Sequence, residues 1–280
     1  MRAALLQMRS GIAPGPNAKA LTAAVEQAAG EGAAMLFTPE MSGLLDRDRK
    51  RAAGHLSHEQ ADTVLAAVRE AAAKHGLWVH LGSLALRSAP ESERMVNRGF
   101  VIDDSGEIRA RYDKIHLFDV DLDTGESWRE SAVYDAGERA VVCDTPLGRL
   151  GLSVCYDLRF PALYQALSDA GAELFAIPAA FTVPTGRAHW HTLLRARAIE
   201  NAAFVLAAAQ QGKHEDGRAT FGHSLAVDPW GEVICDMEDG AGLGYAEIDM
   251  TRLHDVRERI PVLAHRRAIP GVETDSGAGR

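Results

Sequence analysis

The sequence predicts a mixed α/β fold, and three observations support this prediction. Short apolar runs of strand length alternate with helical stretches along all 280 residues, as is typical of sheets covered by helices. Tight-turn sequences separate several neighbouring strands, which favours mixed sheets over a purely parallel sheet. No linker rich in Ser, Gly or Pro divides the chain and no segment repeats. We therefore expect one domain over residues 1–273 and a flexible tail over residues 274–280.

The first half of the chain is expected to contain two helices and five strands. The Ala-rich stretch 17–29 has neither Pro nor Gly and predicts a helix with Asn17 as its N-cap. A second helix is predicted for residues 57–75, with Ser57 as N-cap and Gly76 as the terminating residue. The predicted strands cover residues 3–8, 34–37, 77–84, 97–102 and 107–112.

The second half continues the same alternation. Helices are predicted for residues 163–170 and 187–201. The turn sequences TPLG (145–148) and DPWG (228–231) indicate two hairpins. The predicted strands cover residues 140–143, 150–154, 174–177, 204–209, 224–227, 232–235 and 244–248.

Composition excludes several classes of protein. Lys and Arg total 30 and Asp and Glu total 39, a net charge of −9, so we expect no nucleic-acid partner. The basic cluster at 47–51 also contains an Asp and is expected on the solvated surface. The sequence contains neither a signal peptide nor a run of ~20 apolar residues, so we expect no membrane partner. Three cysteines at wide spacing do not form a disulfide framework and predict a cytoplasmic protein.

Cys155 is the most informative residue of the chain. An apolar strand runs into it and a helix is predicted just after Pro161, so the cysteine lies at a strand-to-helix elbow. Such an elbow exposes a nucleophile and directs backbone N–H groups at a bound oxygen. The alternative is a buried core cysteine, which is the interpretation we prefer for Cys143 and Cys235 inside apolar strands.

A cysteine nucleophile needs a base, because a free thiol has a pKa of about 8.5. By residue type the candidate bases include His116, His189, His191, His214 and His223. Glu40 and Lys114 each follow a predicted strand, although either one alone is usually a solvated side chain.

Taken together, Glu40, Lys114 and Cys155 resemble the Glu-Lys-Cys triad of the nitrilase superfamily of carbon–nitrogen hydrolases. The segments around them are FTPEM (37–41), YDKIHLF (112–118) and VCYDLRFP (154–161). Similarity continues through residues 178–181, 185–190, 194–201, 222–224 and 228–231, and so spans essentially the whole chain. The resemblance implies a four-layer α-β-β-α sandwich with mixed sheets, a small-molecule amide substrate and a homodimer or higher homo-oligomer. It implies neither a metal nor an organic cofactor.

The resemblance also assigns roles to individual residues. Cys155 attacks the amide carbonyl and Glu40 accepts the thiol proton. Lys114 and the backbone N–H of Tyr156 stabilise the oxyanion, and a thioester on Cys155 is then hydrolysed by water. Glu130, sixteen residues after Lys114, matches a second glutamate that holds the lysine in place.

Within the superfamily, the chain is most similar to the Nit-type amidases. Two activities occur there, hydrolysis of 2-oxoglutaramate (ω-amidase) and hydrolysis of deaminated glutathione to 2-oxoglutarate and Cys-Gly. The second is favoured by three later segments, residues 193–200, 207–214 and 261–267.

Four residues are candidate substrate contacts. Both substrates carry a carboxylate, so we expect Arg159 to bind it, unless Arg159 pairs with Asp157 or caps a neighbouring loop. Phe118 and Phe160 are candidate pocket walls or core residues, and Thr182 is a candidate hydroxyl donor.

Three other interpretations are weaker. A metal-dependent amidohydrolase would use His189 and His191, but residues i and i+2 of a helix face different sides, and the sequence has no HExxH motif. The glycines at 240–244 precede a strand, which indicates a loop and not a dinucleotide-binding site. A catalytically silent member of the fold would not need the intact Glu-Lys-Cys set.

Overall fold

The computed structural model describes residues 1–121, 125 and 127–274. Apart from Thr274, the predicted tail therefore lies outside the described residues, and the single domain over residues 1–273 stays a prediction. The strands are β1 (Arg2–Gln7), β2 (Met35–Phe37), β3 (Trp78–Arg87), β4 (Met95–Ile102), β5 (Ile108–Asp113), β6 (Asp119–Asp121), β7 (Ser127–Arg129), β8 (Val142–Thr145), β9 (Gly148–Leu152), β10 (Leu174–Ala176), β11 (Phe204–Ala207), β12 (Gln211–Lys213), β13 (Ala219–Phe221), β14 (Leu225–Val227), β15 (Val233–Asp236) and β16 (Gly242–Glu247).

The helices range from one turn to five turns. They are α1 (Pro14–Gly30), α2 (Arg49–Ala53), α3 (Thr63–His75), α4 (Pro161–Asp169), α5 (Val183–Asn201), α6 (Met250–Arg259) and α7 (Val262–His265). Short 3₁₀ turns occur at Glu59–Ala61, Glu130–Ala132 and Cys155–Arg159. Among the described residues, no helix is both long and apolar enough to cross a bilayer.

Two six-stranded mixed sheets form the framework. The first has the order β16-β1-β2-β3-β4-β5 and the second the order β15-β14-β11-β10-β9-β8. In each sheet three central strands are parallel, β1-β2-β3 and β9-β10-β11, and the outer strands are antiparallel. The prediction of mixed sheets is confirmed. Hairpins supply the antiparallel strands β4, β5, β8 and β15, whereas β16 pairs with β1 from the other end of the chain.

The layers follow from the alternation of side chains along the strands. In β1, Leu5 belongs to the core cluster that joins the two sheets, whereas Leu6 belongs to the cluster under α1 and α3. On the other side of the molecule, Leu167 of α4 and Leu194 of α5 pack with Phe175 of the second sheet. Two helical layers therefore enclose two facing sheets, and the predicted four-layer α-β-β-α sandwich is confirmed.

The start of the first helix differs from the prediction. α1 begins at Pro14, three residues before Asn17, because proline suits the first position of a helix. Asn17 is therefore not the N-cap. Its buried side-chain amide bonds the backbone N–H and carbonyl of Gly11 and the carbonyl of Gly43, which ties the helix to the loop after β2.

The start of the helix predicted for residues 57–75 also differs. Asp62, not Ser57, is the N-cap of α3, and its carboxylate accepts the N–H of Leu65. Residues Glu59–Ala61 form a separate 3₁₀ turn. Gly76 ends the helix with φ of 61°, as predicted, because this left-handed conformation suits glycine.

Several short or polar elements were missed by the sequence analysis. α2, α7 and the small ladders β6-β7 and β12-β13 have three to five residues per element, too few for a periodic pattern. α6 is longer, but Leu253 and Val256 are its only buried residues, so its apolar stripe is too narrow to recognise.

Candidate active site

A cavity of about 840 Å³ opens where strands from both sheets end. Glu40 comes three residues after β2, Lys114 directly follows β5, and Cys155 comes three residues after β9. All three line the cavity, together with Glu130 and Tyr156. The structure thus brings together Glu40, Lys114 and Cys155, which are 41 to 115 positions apart in the chain.

Lys114 lies between two carboxylates. Its Nζ atom is 3.0 Å from Oε1 of Glu40 and 2.9 Å from Oε2 of Glu130, and the residue is 2% exposed. Burial alone would lower the pKa of Lys114, but the negative charges of Glu130 and Glu40 hold that pKa well above its ordinary value. Lys114 is therefore a fixed cation beside Cys155.

Glu40 is held by contacts on both carboxylate oxygens. Oε1 accepts hydrogen bonds from Lys114 Nζ and from Nδ2 of Asn97 at 2.9 Å, and Oε2 accepts the N–H of Ala180 at 2.9 Å. Burial opposes ionisation, but the charge of Lys114 and the hydrogen bonds from Lys114 and Asn97 hold the pKa of Glu40 below its ordinary value. Glu40 is therefore an ionised acceptor at neutral pH.

The backbone next to Glu40 is positioned by a close approach between strands. A Cβ atom on Gly82 of β3 would lie 2.0 Å from the carbonyl oxygen of Thr38, so only glycine fits there. The N–H of Gly82 bonds the Thr38 hydroxyl at 3.0 Å. This contact fixes the turn that carries Glu40 into the cavity.

Cys155 adopts φ of 48°, a left-handed conformation that is uncommon for a non-glycine residue. Its N–H donates to the carbonyl of Pro178 at 2.9 Å, which anchors the elbow. Burial and the negative charge of Glu40 raise the pKa of the Cys155 thiol well above its ordinary value, although Lys114 opposes the effect. The resting site therefore holds a neutral thiol in the same cavity as an ionised Glu40.

A buried carboxylate, Asp157, joins the cysteine elbow to the lysine loop. Its Oδ2 atom accepts the Tyr112 hydroxyl at 2.7 Å and the N–H of Val154 at 2.8 Å. Its Oδ1 atom accepts the N–H of His116 at 3.0 Å and contacts the His116 ring at 2.7 Å. Asp157 therefore sets the distance between the segment that carries Lys114 and the segment that carries Cys155.

The family profile for carbon–nitrogen hydrolases matches residues 2–258. The chain belongs to the carbon–nitrogen hydrolase family. The deaminated glutathione amidase of Yersinia enterocolitica is 43% identical over 95% of this chain and 93% of its own length. These similarities make the protein a hydrolase of carbon–nitrogen bonds other than peptide bonds, acting on a small-molecule amide.

Solved structures agree with this assignment. The NitFhit protein of Caenorhabditis elegans superimposes with a TM-score of 0.88 at 38% identity, over 95% of this chain and 65% of that longer one. An amidase of the nitrilase superfamily from Nesterenkonia sp. has a TM-score of 0.77 at 28% identity, over 93% of this chain and 95% of its own. In a glutamate-to-glutamine mutant of that amidase, acrylamide has added to the active-site cysteine. The predicted membership of the nitrilase superfamily is confirmed.

The predicted substrate contacts of the hydrolase separate into two groups. Phe118 and Thr182 line the cavity. Arg159 and Phe160 lie outside its lining, as far as the described residues show. The Phe160 ring stacks on His116 at 3.6 Å, and the Arg159 guanidinium lies 3.3 Å from Nδ1 of His189 and pairs with no carboxylate among the described residues.

Other cations line the cavity, and the sequence analysis missed them. Residues 47–51 are exposed, as expected, and Arg47 and Arg49 also line the cavity. Arg87, Arg129 and Arg218 contribute from other segments. Among the described residues, basic side chains in the cavity lining outnumber acidic ones, whereas the chain as a whole is acidic.

Asn97 and Asp157 were also missed. Each is a polar residue with at most 1% exposure, Asn97 in β4 and Asp157 directly after the cysteine elbow. A polar residue in an otherwise apolar strand was the available signal for Asn97, since buried polar groups need partners.

The structure separates the candidate histidine bases from Cys155. No histidine lines the cavity within the described ranges. His214 bonds the Ser10 carbonyl and the Thr220 hydroxyl, and His116 contacts Asp157. His189 and His191 contact different groups, Arg159 and Asp236, so this pair does not form one metal site.

Proposed function

We propose that this hydrolase cleaves its amide through a thioester on Cys155, with Glu40 as general base and Lys114 as the cation of the oxyanion hole. The observation that carries the proposal is that Glu40, Lys114 and Cys155 line one cavity, where the Lys114 ammonium donates to the buried Glu40 carboxylate at 3.0 Å.

In the first half-reaction, the Cys155 sulfur forms a bond to the amide carbonyl carbon while Glu40 accepts the thiol proton. The neutral resting thiol requires this coupling, because its pKa is raised and little thiolate exists in advance. The resulting tetrahedral intermediate carries a negative oxygen. The C–N bond then breaks, Glu40 returns the proton to the leaving amine, and the acyl group stays on sulfur as a thioester.

The oxyanion is stabilised by Lys114 and by the backbone N–H of Tyr156. The Tyr156 N–H has no acceptor among the described residues, because Tyr156 is the second residue of the 3₁₀ turn Cys155–Arg159, where backbone N–H groups have no partner within the turn. One such donor typically contributes ~2.7–4 kcal/mol to the transition state, or 10²–10³ in rate.

In the second half-reaction, Glu40 accepts a proton from water as the water oxygen bonds the thioester carbonyl. The C–S bond then breaks and the proton returns to the Cys155 sulfur, which regenerates the thiol. Glu130 is a positioning residue: it holds Lys114 Nζ through both carboxylate oxygens, at 2.9 and 3.2 Å, and accepts the Phe118 N–H at 2.7 Å.

For the substrate, we propose deaminated glutathione, with 2-oxoglutaramate as the second candidate. The name of the Yersinia relative supports the first. Of the five arginines of the cavity, Arg129 and Arg218 already pair with Asp121 and Asp216. The other three have no carboxylate partner among the described residues and support an anionic substrate, because guanidinium groups bind carboxylates. A volume of about 840 Å³ also suits a tripeptide-sized ligand. Phe118 and Thr182 are the proposed neutral contacts, whereas Arg159 and Phe160 would need to move to touch substrate.

We further propose a homodimer or higher homo-oligomer in the cytoplasm. Large apolar side chains remain exposed on one side of the second sheet, with Trp230 at 51% and Ile199 at 48%. All three cysteines are free, as suits a reducing compartment. Light scattering after size exclusion tests the assembly, and a monomeric mass would refute it.

The substrate proposal is tested by comparing kcat/KM for deaminated glutathione, 2-oxoglutaramate and a simple aliphatic amide. We expect the order in which they are named here. If the aliphatic amide gives the highest value, the carboxylate-recognition argument is wrong. If 2-oxoglutaramate gives the highest value, the protein is an ω-amidase.

A further inference from the structure

Three side chains converge outside the proposed active site. His191 comes from the first half of α5, His223 from the turn between β13 and β14, and Asp236 from the end of β15. Nε2 of His191 lies 2.9 Å from Oδ2 of Asp236, and Nδ1 of His223 lies 2.9 Å from Oδ1 of the same carboxylate. All ligand atoms of the trio lie within 4.8 Å of one another. None of these three residues lines the cavity that contains Cys155.

We propose that His191, His223 and Asp236 bind a divalent transition-metal ion of the Zn²⁺, Co²⁺ and Ni²⁺ group. Imidazole nitrogen suits these ions, whereas Mg²⁺ and Ca²⁺ prefer sites made only of oxygen ligands. Two histidines and one carboxylate leave a position for water on a tetrahedral ion. A tetrahedral ion with bonds of about 2.0–2.1 Å places its ligand atoms about 3.3 Å apart. The two N···O distances of 2.9 Å would lengthen slightly, and the distance between the two imidazole nitrogens, at most 4.8 Å, would shorten by less than about 1.5 Å.

The Asp236 carboxylate is held in place by its neighbours, since each of its oxygens contacts one of the two imidazoles at 2.9 Å. The Glu238 N–H donates to Oδ1 at 2.9 Å and so orients the carboxylate. Glu238 and Asp239 add further negative charge in the same turn.

The two imidazoles are also held in place. The His223 ring stacks on Phe221 at 4.4 Å, and the Phe221 ring meets His191 edge-on at 6.1 Å. The backbone of His223 adopts φ of 53°. Its N–H donates to the Glu238 carbonyl, and its carbonyl accepts a hydrogen bond from Nε1 of Trp190. These contacts fix the direction in which the His223 side chain points.

The site is accessible from solvent. The side chains of His191, His223 and Asp236 are 37%, 22% and 26% exposed, so an ion enters without opening the fold. A bound ion would connect α5 to strands β14 and β15. Because the N-terminal end of α5 borders the cavity at Thr182, we expect the ion to stabilise this part of the second layer.

Metal binding is best measured by calorimetry with Zn²⁺ in a Cys155→Ala background, which removes the cavity thiol as a competing ligand. We expect one equivalent to bind and Tm to rise by about 5 °C at a Zn²⁺ concentration 100 times the Kd. His191→Gln and Asp236→Asn should each weaken binding at least about tenfold. His189→Gln is the matched control, because His189 lies two residues away on the same helix and faces Arg159, and its Kd should not change.

Cobalt spectra provide an independent readout of the ligands. Co²⁺ bound by His191, His223 and Asp236 gives d–d bands without a sulfur-to-cobalt charge-transfer band, whereas a site at Cys143 or Cys235 gives that band. Metal-free melts of each variant show whether it is folded. Absence of binding, a charge-transfer band, or an unchanged Kd in folded His191→Gln would each overturn the proposal. None of these readouts requires the proposed amidase activity.

Discussion

Nζ of Lys114 lies 3.0 Å from Oε1 of Glu40, and both residues are almost fully buried, at 2% and 5% exposure. Their charges are mutually dependent, since each side chain is ionised in the cavity because the other is present. Glu130 adds a second negative charge on the other side of the lysine. The catalytic proposal rests on this arrangement, and the following predictions test its members one at a time.

The Cys155→Ala variant should lose activity at least about 10⁴-fold, because removal of a nucleophile eliminates the covalent route. Steady-state turnover of the preferred amide is the measurement. Cys143→Ala is the control, since Cys143 lies on β8 outside the cavity lining and should retain full activity. Turnover retained by Cys155→Ala would refute the proposed nucleophile.

The Lys114→Gln variant should lose both activity and stability. We expect kcat to fall by 10²–10³, because a donor to the oxyanion is lost. The free energy of unfolding should fall by about 3–5 kcal/mol, because Glu40 and Glu130 are left buried without their cation. Urea denaturation measures this change. Lys19→Gln, an exposed lysine of α1, should change stability by less than ~0.5 kcal/mol.

Activity should depend on pH through Glu40. The pKa of Glu40 lies below its ordinary value of 4.5, so kcat/KM should stay constant from neutral pH down to about that value and fall as the pH drops through the lowered pKa. An acid limb centred well above pH 4.5 would contradict Glu40 as the base.

The free energy of unfolding should also depend on pH through Glu40 and Lys114, with one contribution lost at low pH and the other at high pH. The contribution of Glu40 is fully present above pH 4.5, its ordinary pKa, and is lost as the pH falls through the lowered folded pKa. The contribution of Lys114 is fully present below pH 10.5 and is lost as the pH rises through its raised folded pKa. Urea denaturation across pH should therefore show these two contributions constant between those limits. The assignment would be contradicted if the free energy of unfolding of the wild type fell near pH 7 and that of Lys114→Gln did not.

The Tyr112→Phe variant tests the connection through Asp157. Loss of the 2.7 Å hydrogen bond to a buried carboxylate should lower the free energy of unfolding by about 1.5–3 kcal/mol. Because the elbow would be held less firmly, kcat should fall while KM changes little. A rise in KM at constant kcat would show that Tyr112 acts on substrate binding instead.

Much of this fold was predictable because its signals are local. Runs of three to eight apolar residues mark the strands, and turn sequences such as the one at 145–148 mark the hairpins. Start positions were less predictable, because competing caps lie close together. Pro14 is the first residue of α1 and Asp62 is the N-cap of α3, whereas Asn17 and Ser57 were equally suitable local candidates.

By itself, the sequence determined the superfamily and the placement of Glu40, Lys114 and Cys155 near the ends of strands, since motif order and strand periodicity are properties of neighbouring residues. Only the tertiary structure decided which side chains meet. It placed Asn97 on Glu40, 57 residues away, and turned Arg159 toward His189 and out of the cavity lining. The physical reason is that packing of two sheets and their helices sets such contacts, and local pattern does not encode the distance between residues far apart in the chain.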